Sequence, residues 1–187
     1  MAAIQEKAPE ADCFAVKLFH DSLRTSADLV LKALDWAVEE RMDVVNLSLG
    51  TRNPDHAQRF ALLVARATQA GVILVSAREA ARELCYPGCL PNVISVGLDC
   101  DCPRNRYRYA EAAGNSIFYA SGYPRSLPGI PPERNLQGIS FAVANITGLV
   151  ARACEFHSRV GEIPRTPELI RQSLITESAR ASITKVS

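Results

Sequence analysis

No stretch of this chain approaches the ~18 uninterrupted apolar residues of a membrane span. The opening MAAIQEKAPEAD lacks the charged-then-apolar order of a secretory leader. Charge of one sign is missing too: 21 Lys and Arg stand against 20 Asp and Glu, a net charge of +1, which gives no electrostatic bias toward nucleic acid or a membrane surface. There is no internal repeat and no low-complexity linker. The turn at Gly50-Thr51-Arg52 lacks the lysine and spacing of a phosphate-binding loop. These absences leave one soluble cytoplasmic domain over residues 1–187, with 48% apolar content to fill a core. In a reducing compartment the six cysteines are expected as free thiols or metal ligands rather than disulfides.

What is present is an alternation of two periods. CFAVKLF (Cys13 to Phe19), VVNLSL (Val44 to Leu49), VILVS (Val72 to Ser76) and VISV (Val93 to Val96) are short Val, Ile and Leu runs of the kind buried on both faces of a sheet. Between them lie helical patterns. Thr25 with Asp28 signals a cap before Leu29, Val30, Ala33, Leu34, Ala37 and Val38, and Asn53-Pro54 opens a helix carrying Phe60, Leu63, Val64 and Ala67 that stops at Gly71. This order predicts a parallel sheet with right-handed crossovers in a three-layer α/β/α fold. Ser140 to about His157 and Thr166-Pro167-Glu168 to Leu174 read as further helices, and Tyr119 to Gln137 as a long irregular loop.

The segment Gly138-Ile139-Ser140-Phe141-Ala142, continuing through Asn145 and Gly148, sets a serine at a helix N-terminus. It resembles the nucleophile motif GTSMAxPHVxG of the subtilisin-like serine proteases, the subtilases. Gly138, Ser140, Ala142 and Gly148 match outright, Ile139, Phe141, Ala144 and Asn145 replace Thr, Met, Pro and His, and Ile146 stands for Val. The resemblance extends from about residue 1 to residue 178. It is carried in order by Ala8-Pro9-Glu10-Ala11 with AVKLF, by DWAVEERMDVVNLSLG, by GVILVSA, by YPGCLPNVISVG and by GISFAVANITGLVAR. It implies a subtilisin-like fold, a substrate-pairing segment at Ser48, Leu49 and Gly50, and a primary pocket walled and floored by Ser76 to Cys85, with Ser76, Ala77 and Cys85 as candidate binding residues.

The departures from the family pattern bear on activity. The family's Asp-Thr-Gly strand and His-Gly-Thr-His helix both precede the Ala-Pro-Glu-Ala segment, and neither motif occurs in this sequence. A serine hydroxyl is a weak nucleophile until a bonded base takes its proton. The histidines are His20, His56 and His157; the first two are candidates for a relocated base at the carboxyl edge of the sheet, and His157 falls about 25 Å down the helix from Ser140 at ~1.5 Å per residue. Where the family places an oxyanion asparagine, Ala80 stands here, and losing one such donor costs roughly 10²- to 10³-fold in rate. Ser140 is accordingly expected as a vestigial nucleophile serving as a helix cap, in a truncated, catalytically silent domain that binds a peptide or protein. Two alternatives stay open. One is a serine hydrolase or acyltransferase that borrows a base from another chain or from His20 or His56; the other is a cysteine- or metal-dependent activity in the old cleft.

Two further expectations concern association and metals. With the family's preceding strands missing, Cys13 to Phe19 is expected to form an open sheet edge, covered by a second copy as a homodimer or by a different protein. Lys17 is thin protection for such an edge. Cys85-x3-Cys89 and Cys100-x-Cys102 offer four thiolates, but a strand between the pairs would hold them roughly 20 to 35 Å apart at ~3.3 Å per residue, so neither metal nor cofactor is expected. A catalytic role for Cys85 would need a depressed pKa that nothing nearby in the sequence supplies. Arg104, Arg106 and Arg108, interleaved with Tyr107 and Tyr109, are read as a strand or hairpin of alternating faces rather than a stacking ribbon.

Overall fold

Residues that alternate between two apolar environments make the centre of this molecule. In β2 (Ile73–Ala77) every residue is buried. Ile73, Val75 and Ala77 enter one hydrophobic cluster, whereas Leu74, with the preceding Val72, enters another on the opposite face. A strand can do this only when both faces are covered, and burying such a side chain contributes ~1.5–3 kcal/mol. The computed structural model describes residues 1–19, 21–22, 24–80, 82–112, 114–131, 134–160 and 166–183.

Five strands lie in the order β1 (Val44–Leu47), β2, β5 (Ile94–Leu98), β7 (Asn115–Ala120) and β6 (Tyr107–Ala112). The first four are parallel, and β6 returns antiparallel to β7. A small hairpin, β3 (Glu79–Ala80) with β4 (Glu83–Leu84), stands apart from the sheet. One face packs on α2 (Ala27–Glu39) and α3 (Ala57–Gln69) through Leu34, Phe60 and Leu63; the other packs on α4 (Ile139–Val160) and α5 (Pro167–Ile183) through Val143, Ile146, Ile170 and Leu174. The three-layer α/β/α arrangement is the one the sequence implies. By length and composition α4 could cross a membrane, yet Ala142, Val143, Ile146 and Val150 spend that apolar content inside the core.

Local chemistry sets the element ends. Ser26, one residue beyond the expected Thr25, caps α2 by accepting the Leu29 N–H, with Asp28 in the first turn. Asn53 accepts the Asp55 N–H before a 3₁₀ turn, Pro54–His56, that leads into α3. Thr166 caps α5 through the Leu169 N–H. The arginine–tyrosine ribbon is a hairpin, as expected. Tyr107 and Tyr109 pack on Phe118, Tyr107 donates to the Leu174 carbonyl, and Arg108 pairs with Asp99 over the Tyr119 ring. Tyr119 and Ala120 belong to β7, so the irregular loop begins only after them.

One strand reading is corrected. Cys13 to Phe19 is in no strand, and the edge of the sheet is β1. A strand exists by virtue of its ladder, and among the described residues this segment makes no backbone–backbone hydrogen bond. A four-residue helix, α1 (Ala2–Gln5), precedes it and packs on α4 where Gly148 allows close approach; a Cβ there would meet the Ile4 carbonyl oxygen at 3.0 Å.

Candidate functional site

In an open parallel sheet, ligands gather at the carboxyl ends of the strands. The resemblance-derived residues come together there. Ser48, Leu49 and Gly50 continue from β1, Ser76 and Ala77 end β2, and Ser140 is the second residue of α4. The helix starts at Ile139 after Gly138, so Ser140 is inside its first turn and does not take the cap position assigned to it from sequence.

The hydroxyl of exposed Ser140 donates to the Ser48 carbonyl at 3.4 Å, and the Ser48 hydroxyl donates back to the Ser140 carbonyl at 3.1 Å. Behind this pair, the Asn46 amide donates to Ser48 Oγ at 3.0 Å. Asn46 Oδ1 in turn lies 3.0 Å from the Thr147 hydroxyl, which shares its single proton between Oδ1 and the Val143 carbonyl. Asn46, Ser48, Ser140 and Thr147 therefore brace β1 to α4. Sequence reading missed Asn46 and Thr147; polar residues inside an apolar strand and an apolar helix were the available signal.

A backbone carbonyl takes no proton, so this geometry does not activate Ser140. His157 Nε2 is 2.7 Å from the Ser173 hydroxyl, far along α4. His56 lines a cavity of about 440 Å³ together with Leu49, Gly50, Asp28 and Phe60, beside the Ser48–Gly50 segment. In the same cavity Asp28 pairs with Arg59 at 2.6 Å, and that guanidinium holds the carboxyl below its ordinary value. His20 lies outside the described residues. Ala80 sits exposed in β3 and has no donor side chain.

The segment from Ser76 to Cys89 is built on close backbone approach. A Cβ on Gly88 would lie 1.8 Å from the Ala77 carbonyl oxygen, and one on Gly50 would lie 2.8 Å from the Tyr86 carbonyl oxygen. Thr51 and Tyr86 exchange backbone bonds at 3.0 and 2.8 Å, next to a cis Tyr86–Pro87 peptide. Ser76 is fully buried, and its hydroxyl has no partner among the described residues. The Arg78 Nη1 atom is likewise buried and unpartnered. Cys85 is buried with its thiol directed at the Glu83 carbonyl, and burial pushes both the Cys85 and Cys89 thiols up, away from the nucleophilic thiolate. Cys100 accepts from the Gln137 amide at 2.7 Å. Among the described residues no group of three or more His, Cys, Asp or Glu is arranged to hold a metal ion.

Asn145, where the subtilase motif has histidine, is wholly buried. Its amide donates to the Ser121 and Tyr123 carbonyls at 2.9 and 3.2 Å, while its oxygen accepts from Lys7 Nζ at 2.8 Å. One side chain thus fixes α4, the loop after β7 and the N-terminal segment. The loop then reaches Ser140 through a Gly138 N–H bond to the Gly122 carbonyl.

Comparison with known proteins places this architecture. Residues 2–186 match the model of the Subtilase family. Subtilisin Savinase of Lederbergia lenta is 31% identical over 144 residues, which is 76% of this chain and 50% of that protein. The chain spans half or less of the length of the curated relatives it matches, from 50% down to 18%. Among solved structures, the prenylagaramide maturation protease PagA is similar with a TM-score of 0.65 at 23% identity, over 82% of this chain and 58% of that one. The PatG macrocyclase in complex with peptide is similar with a TM-score of 0.62 at 20% identity, over 84% of this chain and 49% of that one.

Proposed function

This chain belongs to the subtilase family, and we propose that it holds a peptide along Ser48, Leu49 and Gly50 without cleaving it, as a recognition or scaffold component of a peptide-modifying assembly. The observation that carries this reading is the partner of the Ser140 hydroxyl. It is the Ser48 carbonyl, which cannot serve as a base. The absence of an asparagine side chain at Ala80 adds a second deficit of roughly 10²- to 10³-fold. The cavity beside Leu49 and Gly50 supplies room for a peptide side chain. Similarity to PagA and to PatG, a maturation protease and a macrocyclase in complex with peptide, supports a biosynthetic setting.

The test is labelling with a fluorophosphonate probe at neutral pH, comparing the chain with Ser140→Ala. No Ser140-dependent labelling is expected. Labelling that the substitution abolishes overturns the silent reading and favours the second one, a serine hydrolase or acyltransferase. The exposure of Ser140 in the first turn of α4 favours that second reading when a base is lent by another chain. A cysteine nucleophile has less support, because burial pushes the Cys85 thiol up, away from the nucleophilic thiolate.

A further inference from the structure

One turn of backbone brings two of the free thiols, Cys85 and Cys89, together. The Cys89 N–H donates to the Cys85 carbonyl at 2.9 Å, the bond of a single helical turn. Such a turn holds the two Cα atoms about 5 to 7 Å apart, and a disulfide needs about 4.4 to 6.8 Å. The sulfurs are near enough for charge on Cys85 to act on Cys89. Cys100 and Cys102 differ, because their sulfurs are engaged with separate partners, the Gln137 amide and the Arg106 carbonyl.

The two thiols have different surroundings. Cys89 is partly exposed; burial raises its thiol, while its own backbone N–H and the Arg78 guanidinium draw it back part of the way. Arg78 Nη1 is buried with no partner among the described residues, so a donor is free for a thiolate beside it. Cys85 is 4% exposed and closes the end of the small hairpin. Its thiol donates to the Glu83 carbonyl at 3.7 Å and accepts the Ala80 N–H, and Ala80 and Glu83 are paired between β3 and β4. The Cys85 Cβ lies 3.4 Å from where a Cβ on Gly50 would stand, and Glu83 reaches Arg52 at 2.8 Å. Cys85 therefore sits between the hairpin and the Ser48–Gly50 segment.

We propose that Cys85 and Cys89 form a reversible dithiol–disulfide couple, oxidised by a small-molecule disulfide of the glutathione class, and that oxidation releases the β3–β4 hairpin from Cys85. The more exposed Cys89 reacts first. Its thiolate attacks one sulfur of oxidised glutathione, the S–S bond breaks, and one glutathione thiolate leaves. Cys85 then gives its proton to solvent and attacks the Cys89 sulfur, expelling the second glutathione. Two protein thiols are oxidised to one disulfide and one glutathione disulfide is reduced to two thiols. Burial disfavours both thiolates, so no thiolate stabilisation holds the pair in its reduced form. Turning the Cys85 sulfur to Cys89 takes it from Ala80 and Glu83. Control of binding at Gly50 follows on the reading that Ser48–Gly50 holds a peptide; the couple itself does not rest on that reading.

The test incubates the full chain with oxidised glutathione at about pH 8, quenches with acid and alkylates the remaining thiols. Digestion with trypsin and Asp-N yields Glu83 to Leu98, which carries these two cysteines and no other. In the oxidised sample that fragment should lack the mass of two hydrogens and take no alkyl group, and a phosphine reductant should restore both sites. Cys85→Ala should instead keep a glutathione on Cys89, which identifies the first sulfur to react. Hydrogen exchange of the Ala80 amide should be at least about threefold faster in the oxidised chain. The couple is overturned by a fragment that remains fully alkylated, by a stable glutathione adduct on wild-type Cys89, or by a disulfide from either cysteine to a third one or to a second chain. Unchanged Ala80 exchange in fully oxidised protein overturns release of the hairpin. The mass of this fragment and fluorophosphonate labelling of Ser140 fail independently, so the two readings are separable.

Discussion

Asn145 shows how much one interior side chain can carry. Its amide and oxygen satisfy two carbonyls of the loop after β7 and the Lys7 ammonium, at a position with no exposure to solvent. Asn145→Ala would leave a half-buried cation and two carbonyls without their partner. With about 1–3 kcal/mol for each orphaned buried group and partial relief by water, the expected loss is roughly 3 kcal/mol in urea denaturation. Lys7→Met keeps the apolar stem and removes only the donor, so about 1–2 kcal/mol is expected. Because the two residues share one bond, the double variant should lose less than the sum of the single variants, a coupling that a double-mutant cycle measures directly. Additive losses would mean that Lys7 and Asn145 act independently. Motif spacing located Asn145 in the chain but not its role. Its partner is 138 positions away, and no local periodicity encodes that pairing.

Elements are legible in sequence to the extent that their causes are local. Asn53 and Thr166 mark helix starts because a side-chain oxygen reaches an amide two or three residues on, and VILVS marks a strand because helices cover both of its faces. CFAVKLF carries the same composition and forms no strand, since β-propensity describes fitness for a ladder and cannot supply the neighbour. Ser140 departs from the expected cap role for a similar reason: the hydroxyl is bound to Ser48, 92 residues away, which the local pattern does not reveal. Glycines at element junctions give a sharper test. Gly88→Ala places a Cβ against the Ala77 backbone at 1.8 Å, where only backbone movement relieves the clash, and about 3 kcal/mol or more should be lost. Gly114→Ala meets nothing within 4 Å and suffers only from its φ of +71°, for a loss of about 1 kcal/mol. Chemical denaturation of the two variants checks the difference; equal losses would show that the Gly88 approach is not tight in solution.

At the scale of the whole molecule, the N-terminal segment is clamped at one end and free at the other. Lys7 is held by Asn145, and Glu6 pairs with Arg104 in the loop before β6. Cys13 to Phe19 then runs without a ladder, with Leu18 packed against the α2/α3 cluster. The clamp at its start contains a titratable pair. The Arg104 guanidinium holds the Glu6 carboxyl below its ordinary value of 4.5. A carboxyl more acidic in the fold than in the unfolded chain stabilises the fold fully above about pH 4.5, and that contribution is lost as the pH falls through the depressed value. Glu6 is partly exposed, so salt screens the pair and the effect on global stability is small. The local effect is the informative one. Exchange of α1 and Lys7 amides, corrected for intrinsic rates, should rise as the pH falls from 6 to 3, and Glu6→Gln should show the raised exchange already at pH 6 with little further change. Arg104→Ala should reproduce the glutamine variant at pH 6. A wild-type profile as flat as that of Glu6→Gln would show that Asn145 and the packing of α1 on α4 hold the segment without the ion pair.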